Sequence, residues 1–327
     1  MNADRNFEDR LDSLRKGAKH GGAVTGRGVD ISGGPIPRLP GYYGEAVVKP
    51  PVWTWEIPLY FFLGGASGMA PLIAVAALLV RQIELARGAL WIMAAGALLS
   101  PVLLIMDLGR PMLFLNMLRV FKHRSPMSVG AWILSAFSSF AVPACLIFEL
   151  YLRDAFAPSI ATLVLILCGL LCFGAALFGL GLATYTGVLL GATAIPAWFL
   201  HRTLLPIHFG TAGLGCAAAI LELLGFQTRP LFVLGMLAAI VEALLWIWLE
   251  IDKHGAADRA LHRGGSGWLI RAGEILSGPL SIIFRLTNLV PLAAISFLLG
   301  ALCSRFGWIA AGRVSGRDPE AVFASQR

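Results

Sequence analysis

Side chains capable of proton transfer stand where a long apolar stretch of the sequence begins. Glu56 lies near the start of "VWTWEIPLYFFLGGASGM" (residues 52–69), and Tyr60 follows four residues later, on the same face of a helix. An acid at a bilayer edge must pair, hydrate or take up a proton, and intramembrane ionisable groups are functional candidates. A phenol keeps its proton at neutral pH and both donates and accepts hydrogen bonds. The two residues therefore indicate proton or hydrogen-bond chemistry.

Similar side chains recur at the ends of three other apolar stretches, in "MDLGRP", "SPMSVGAW" and "ATYTGVLLGATAIPAW". Structural roles would also explain some of these residues taken singly. The tryptophans could form an aromatic belt at the membrane interface, Asp107 could pair with Arg110, and "SPMS" could cap a helix. Acids and phenols around an apolar slot nevertheless match a quinone head group. Its two carbonyls need donors, its reduction needs protons, and its prenyl tail needs a lipid-accessible wall. We predict a quinone-binding site formed by Trp55, Glu56, Tyr60, Asp107, Arg110, Ser128 and Tyr185.

The composition places these residues in a membrane protein. The 327 residues are 57% hydrophobic and 14% charged, with a mean hydropathy of +0.76, whereas soluble domains carry about 25% charged residues. Because lipid offers no partner to backbone groups, helices are the natural spanning elements. The fold class that we predict is an all-α polytopic membrane protein with about eight spans. Seven are predicted at residues 57–80, 88–108, 129–152, 159–190, 203–225, 230–251 and 287–311.

The stretch 266–285 leaves two alternatives open. It is apolar overall but contains Arg271, Glu274 and Pro279. It is either an eighth span that packs against protein or an amphipathic helix that lies at the interface.

Positive charge is distributed unequally between the two membrane faces. We call the face at which the first span begins side A and the opposite face side B. With eight spans, the side A segments hold 19 Lys and Arg residues and the side B loops hold 5. Since cytoplasmic loops carry an excess of positive charge, side A is predicted to be cytoplasmic, with both termini of the protein on it.

The predicted organisation has three parts. They are a polar N-terminal arm (1–50), a transmembrane domain (51–311) and a cytoplasmic tail (312–327). The arm lacks the apolar core of a signal peptide. It is either a disordered tail or a segment that binds a soluble partner, and partner docking is the role that we predict.

The cysteines and histidines argue against a metal centre within this protein. The five cysteines lie in apolar stretches without a clustered C-x-x-C pattern, and only His208 of the six histidines lies clearly within a span. We therefore expect no haem, iron–sulfur cluster or other metal here. A phosphate-binding loop G-x-x-x-x-G-K-[ST] is also missing from the sequence. Electrons for any redox chemistry must come from another subunit.

Four motifs occur in order along the sequence. They are W-x-W-x-I-P-x-Y-x-F-L-G-G (53–65), D-L-G-R-P (107–111), S-P-M-S-x-G-x-W (125–132) and Y-T-G-V-L-L (185–190) followed by I-P-x-W (195–198). This set resembles the NrfD-like family, the membrane subunits of polysulfide-reductase-type complexes. The resemblance implies eight helices arranged as two four-helix bundles in the bacterial cytoplasmic membrane.

The same resemblance implies a cofactor and partners. Menaquinone or ubiquinone would bind on the partner-facing side, where Tyr185 and the start of the first span would line the pocket. A ferredoxin-like iron–sulfur subunit would dock there and exchange electrons with a molybdopterin-type catalytic subunit. The predicted cytoplasmic face fits a formate-dehydrogenase-like or hydrogenase-like module. Membrane lipid is an expected contact and nucleic acid is not.

Acidic residues inside the spans have three interpretations. Glu149, Glu222 and Glu242 lie in predicted spans, and chained intramembrane acids are typical of proton relays. In a quinone-reactive subunit they would form a proton route. In the alternative function, a secondary transporter or ion channel, they would mark the ion path. In the third interpretation they are protonated packing residues, which would also suit a purely structural anchor.

Overall fold

The computed structural model describes residues 48–49, 52–108 and 114–325. Nearly all of the N-terminal arm and Arg110 lie outside these ranges. The predictions for the arm and for an ion pair between Asp107 and Arg110 therefore fall outside the described residues.

Within the described ranges every regular element is helical, and eight long helices dominate. Seven of them are long and apolar enough to cross a membrane, which confirms the predicted all-α polytopic membrane fold. The last helix continues to Arg317, beyond residue 311, where the predicted span ended. The helices are α1 (Glu56–Leu79), α2 (Ile83–Asp107), α3 (Pro126–Leu152), α4 (Pro158–Gly191), α5 (Leu204–Leu223), α6 (Arg229–Ile251), α7 (264–286) and α8 (Val290–Arg317).

Proline and serine define where several helices begin. The helices α3, α4, α6 and α8 each have a proline in the first turn, where the missing N–H would have no helical partner. The side chain of Ser125 caps α3 by accepting a hydrogen bond from the backbone N–H of Ser128 at 3.5 Å. The helix cap that was the alternative, structural role for "SPMS" is therefore present.

The helix α7 decides between the two alternatives for residues 266–285. It consists of Gly264–Ile275, a π-helical turn at Leu276–Leu280 and Ser281–Leu286. It runs lengthwise against α8, and Ser281 Oγ donates to the carbonyl of Ala293 at 3.2 Å while Ser296 Oγ donates to that of Leu276 at 2.7 Å. The segment is therefore a packed eighth helix rather than an interfacial one.

The eight helices form two four-helix bundles, as the family resemblance implied. In the first bundle α1 packs on α2 and α4, and α3 closes the ring between them. In the second bundle α5 and α7 each pack on α6 and α8. The helix α1 joins the bundles because it also contacts α5 and α8.

Glycines let α1 approach its neighbours closely. A Cβ atom at Gly68 would lie 2.5 Å from the carbonyl oxygen of Gly179 in α4. One at Gly213 in α5 would lie 2.7 Å from the carbonyl oxygen of Gly65. Backbone therefore meets backbone on both sides of α1, the close packing that small residues permit in membranes.

Side A carries most of the irregular structure among the described residues. The connections at side B are short, whereas those at side A include several small helices. These are Asn116–Arg119, Pro196–Leu200, Gly255–Asp258 and Arg259–His262, and a further small helix, Pro319–Ser325, follows α8. The longer connections among the described residues therefore lie at side A.

The crossing of α1 and α4 gives a stability prediction. In Gly179→Ala the new methyl group would overlap the carbonyl of Gly68, and overpacking of this kind costs about 1–3 kcal/mol. We expect a lower midpoint of thermal unfolding in detergent. Gly169→Ala is the matched control, since a Cβ at Gly169 on the same helix meets no described atom within 4 Å. Equal midpoints for the two variants would contradict the packing role of the crossing.

Candidate functional site

A cavity of about 210 Å³ opens at side A of the first bundle. All four helices of that bundle contribute to its wall. Its polar side chains are Tyr60, Asp107 and Tyr185, and the remaining wall is apolar. Met117 and Met127 lie at the wall as well, and Met127 is 50% exposed. The cavity thus combines a few polar groups with an apolar edge.

The two phenol rings are held by close packing. Tyr60 and Tyr185 are 3% and 8% exposed. Gly130 in α3 creates the room for the second ring, because any Cβ at this position would overlap the Tyr185 phenol. The ring of Tyr60 also packs against that of Phe61, with centroids 5.6 Å apart. The positions of both hydroxyl groups therefore depend on small and aromatic neighbours.

The other predicted quinone-site residues within the described ranges lie outside the cavity wall. Trp55 is 53% exposed. Glu56 accepts a hydrogen bond from the hydroxyl of Thr54, whose backbone N–H lies 3.4 Å from Asp107 Oδ1. The Ser128 hydroxyl accepts from the backbone N–H of Lys122 at 3.1 Å and so braces a loop. The structure brings together Tyr60, Asp107 and Tyr185 in the cavity wall. Glu56 lies next to this group, because Thr54 contacts both Glu56 and Asp107.

Two of the three predicted proton-route acids are paired at side B, in different bundles. Glu149 in α3 accepts hydrogen bonds from Arg87 at 2.6 and 2.9 Å and from Trp91 at 2.7 Å. Glu222 in α5 accepts two from Arg285 in α7, both at 2.7 Å. The structure therefore does not bring Glu149 and Glu222 together. Each carboxylate instead forms an ion pair between two helices at the side B end of its own bundle.

Glu242 belongs to a separate buried cluster in the side A half of the second bundle. Its Oε2 lies 2.7 Å from Nδ1 of His208 in α5. On the opposite edge of the ring, His208 Nε2 lies 2.8 Å from Ser304 Oγ in α8 and 3.7 Å from Glu274 Oε1 in α7. Ser304 Oγ also lies 3.4 Å from Glu274 Oε1. Each helix of the bundle thus contributes one ionisable or hydroxyl group to this cluster.

The tautomer of His208 follows from its neighbours. Arg305 NH1 lies 3.3 Å from His208 Nε2, and a guanidinium has only donors. The Nε2 atom is therefore an acceptor, which leaves the ring proton on Nδ1, facing Glu242. The Nδ1 edge of the imidazole contacts Glu242, and its Nε2 edge contacts Ser304, whose hydroxyl lies near Glu274. The ring therefore lies between two carboxyl groups.

An aromatic contact links this cluster to the cavity in the first bundle. The guanidinium of Arg305 lies 3.7 Å from the ring centroid of Phe209 and donates to its carbonyl at 3.1 Å. The ring of Phe209 packs against that of Phe61, with centroids 5.9 Å apart, and Phe61 lines the cavity. Two rings therefore separate the cavity from the buried charges.

Sequence reasoning missed part of both sites. Gly130 falls within the third motif but was not assigned a role, and only the packing of Tyr185 reveals one. Glu274 was noted only as a charge within the stretch 266–285 and Arg305 was given no role, although such charges on separate helices are themselves a signal of mutual pairing. Their partner His208 was assessed only as a haem or metal ligand.

The fold and the site together define an eight-helix, two-bundle membrane protein with a phenol-lined cavity at one face and buried charges in the second bundle. The sequence model of the family described as "Polysulphide reductase, NrfD" matches residues 45–315. The protein belongs to this family. The C subunit of the polysulfide reductase of Wolinella succinogenes is 26% identical over 306 residues, which cover 80% of the present sequence and 94% of that subunit.

The pairing of Glu222 with Arg285 gives a second prediction. Both side chains are fully buried, and removing one member of a buried pair typically costs about 3–5 kcal/mol because the other charge stays unpaired. We expect Glu222→Leu and Arg285→Leu each to destabilise the protein strongly, and the double variant to be milder than their sum. Unfolding in detergent, analysed as a double-mutant cycle, measures the difference. Strictly additive effects would exclude the interaction.

Proposed function

We propose that this protein is the quinone-binding membrane subunit of a multi-subunit oxidoreductase. In this role it exchanges electrons between an iron–sulfur partner and the membrane quinone pool. The observation that carries the proposal is the side A cavity, which gathers Tyr60, Asp107 and Tyr185 in an otherwise apolar wall. The name of the relative, the C subunit of a polysulfide reductase, supports membership of a complex with other redox subunits.

The cavity fits the head group of menaquinone or ubiquinone. Enclosed sites for drug-sized ligands measure roughly 300–1,000 Å³, so a cavity of about 210 Å³ suits a ring whose prenyl tail stays outside. The exposed side chain of Met127 gives the tail an apolar exit. A bound quinone supplies two-electron, two-proton redox chemistry.

The cavity residues would provide hydrogen bonds, proton transfer and orientation of the quinone ring. The phenols of Tyr60 and Tyr185 provide hydrogen bonds for carbonyl oxygens and hold their protons at neutral pH. Asp107 lies at the side A end of α2, where its carboxyl group can pass protons between the cavity and the aqueous face. Phe61 and Leu104 lie in the apolar wall, which orients the ring and limits the access of water.

The partner belongs at side A in this proposal. The cavity opens at this face. The small helices and most of the basic residues lie at the same face. A ferredoxin-like iron–sulfur subunit at this face would bring its cluster close to the cavity, with a molybdopterin-type, formate-dehydrogenase-like subunit beyond it. The charge asymmetry supports a cytoplasmic position for this face in a bacterium, and the N-terminal arm would contribute to docking.

The buried cluster supports a proton-translocation role in the second bundle. The groups Glu242, His208, Ser304 and Glu274 form a continuous series whose middle member can be protonated on either ring nitrogen. Roughly 21 Å along α5 separates His208 from Glu222, so a route to side B needs water between them. This proposal replaces a route through all three predicted acids, since Glu149 is bound to Arg87 in the other bundle.

A test of the quinone site removes one hydroxyl group. We expect Tyr185→Phe to assemble normally and to slow turnover of a quinone analogue by about 2- to 13-fold, the equivalent of a hydrogen bond worth about 0.5–1.5 kcal/mol. The matched control is Tyr151→Phe, which removes a phenol hydroxyl at the side B end of α3. Gly130→Ala should impair turnover further, because its methyl group displaces the Tyr185 ring. Wild-type turnover in both cavity variants would refute the assignment.

A test of the relay separates proton movement from electron transfer. In sealed liposomes that contain the whole complex, we expect Glu242→Gln to retain quinone turnover and to lose any proton gradient beyond that due to quinone chemistry. The reason is that glutamine keeps the shape of the side chain but is unable to carry a proton. Glu149→Gln, in the first bundle, is the control that should retain the gradient.

Two outcomes would contradict the relay. One is a wild type that generates no gradient beyond quinone chemistry, and the other is full coupling in Glu242→Gln. Ion flux through the isolated subunit without quinone turnover would instead favour the transporter or channel function.

A further inference from the structure

Three potential metal ligands converge at side A of the second bundle. His201 follows the short helix Pro196–Leu200, whereas His254 and Asp258 lie in the connection between α6 and α7. His201 Nε2 lies 3.8 Å from Asp258 Oδ1, and His254 Nδ1 lies 3.3 Å from Asp258 Oδ2. One ligand atom from each side chain lies within 4.8 Å of the other two.

The converging atoms are buried and unsatisfied. The side chains of His201 and Asp258 are 2% and 3% exposed. Among the described residues, His201 Nε2, His254 Nδ1 and Asp258 Oδ1 have no hydrogen-bond partner. Buried polar atoms without partners are rare in native proteins, and each calls for an explanation such as a bound ion.

The tautomer of His201 favours a bound cation. Its Nδ1 lies 3.0 Å from the backbone carbonyl of Ala197, and a carbonyl only accepts, so Nδ1 carries a proton. In the neutral ring Nε2 is then a bare lone pair that faces the carboxylate of Asp258. A positive ion between the two groups would resolve the repulsion.

We propose that His201, His254 and Asp258 bind one divalent transition-metal ion of the Zn²⁺ type. Two imidazole nitrogens and one carboxylate oxygen are a common zinc ligand set, and they leave a fourth position for water. Tetrahedral zinc with bonds of about 2.0–2.2 Å places its ligand atoms roughly 3.3–3.6 Å apart. Each imidazole nitrogen lies near a different oxygen of Asp258, at 3.8 Å for His201 and 3.3 Å for His254, and one ligand atom from each residue lies within 4.8 Å of the other two, so the side chains must draw together to bind one ion.

The surrounding contacts resemble the outer shell of a metal site. Metal-binding histidines usually donate their other N–H to a carbonyl or carboxylate, as His201 does to Ala197. His254 Nε2 lies 3.7 Å from Asp252 Oδ1, and the backbone N–H of His254 donates to Asp258 Oδ2. The His201 ring and the Asp258 carboxylate are thereby oriented before any ion binds.

The charge balance and the access route also suit a cation. Within the described residues, the ionic contacts of Asp258 are with imidazoles alone. Asp258 lines a surface cavity of about 450 Å³, through which an ion can enter. Two of the basic side chains of that cavity pair with acids of the same cavity, Arg271 with Glu250 and Arg259 with Glu320.

The buried cluster around His208 does not need such an ion. There Arg305 already supplies a positive charge 3.3 Å from the imidazole. The proposed site departs from the expectation that this protein holds no metal. Its ligands come from two distant segments outside the spans, so their spacing in the sequence has no recognisable signature. The ion would fasten the connection after α6 to the segment before α5.

The test measures zinc in the full-length protein, purified in detergent without a polyhistidine tag. After removal of metal by a chelator and dialysis against Zn²⁺, we expect about one zinc per molecule and a higher midpoint of thermal unfolding, which a chelator reverses. X-ray absorption at the zinc edge should show imidazole and oxygen ligands at about 2.0–2.2 Å without sulfur.

Variants identify the ligands. Asp258→Asn and His201→Gln should each lower bound zinc at least tenfold. His123→Gln, which changes an exposed histidine at the same membrane face, should retain it. Wild-type protein that binds no zinc overturns the proposal even if the variants fail to fold. Sulfur ligands, or full zinc binding by folded Asp258→Asn, would overturn it as well.

Discussion

The constraint on which this structure depends is that a charge buried between membrane helices must have a partner. An isolated ion in an apolar interior is so unfavourable that it pairs or becomes neutral. Glu149 meets Arg87 across the first bundle, and Glu222 meets Arg285 across the second. Each pair joins two helices that hydrophobic contact alone would leave free to slide, so the polar groups specify which helices are neighbours and at what register.

A second constraint is the close approach of α1 to both bundles. Gly65 and Gly68 bring its backbone against α5 and α4, and this contact leaves no space for larger side chains. The helix can therefore present Tyr60 and Phe61 near its side A end to two environments at once. Tyr60 faces the cavity of the first bundle, while Phe61 reaches Phe209 of the second.

Length and hydropathy were sufficient to predict seven helices, because lipid imposes a simple relation between apolar length and span. The same relation failed to decide α7, since Arg271, Glu274 and Pro279 interrupt its apolar sequence, although Glu274 is buried among other helices. The motifs contain Tyr60 and Tyr185, which the structure places in the cavity wall. They could not distinguish wall residues from Ser128, whose hydroxyl braces a loop, because a motif does not show where a side chain points.

The aromatic layer between the bundles has a consequence for the proposed function. A redox cavity and a proton relay that shared one water-filled space would let protons move between them without control. Phe61 and Phe209 separate the two sites with apolar surface, while the guanidinium of Arg305 rests on the Phe209 ring at 3.7 Å. A change in the cavity can therefore reach the buried charges through packing rather than through water. Coupling in this arrangement requires that packed rings shift when the cavity is filled, either Phe61 against Phe209 or Trp53 against Trp198, since no polar contact among the described residues connects the two sites.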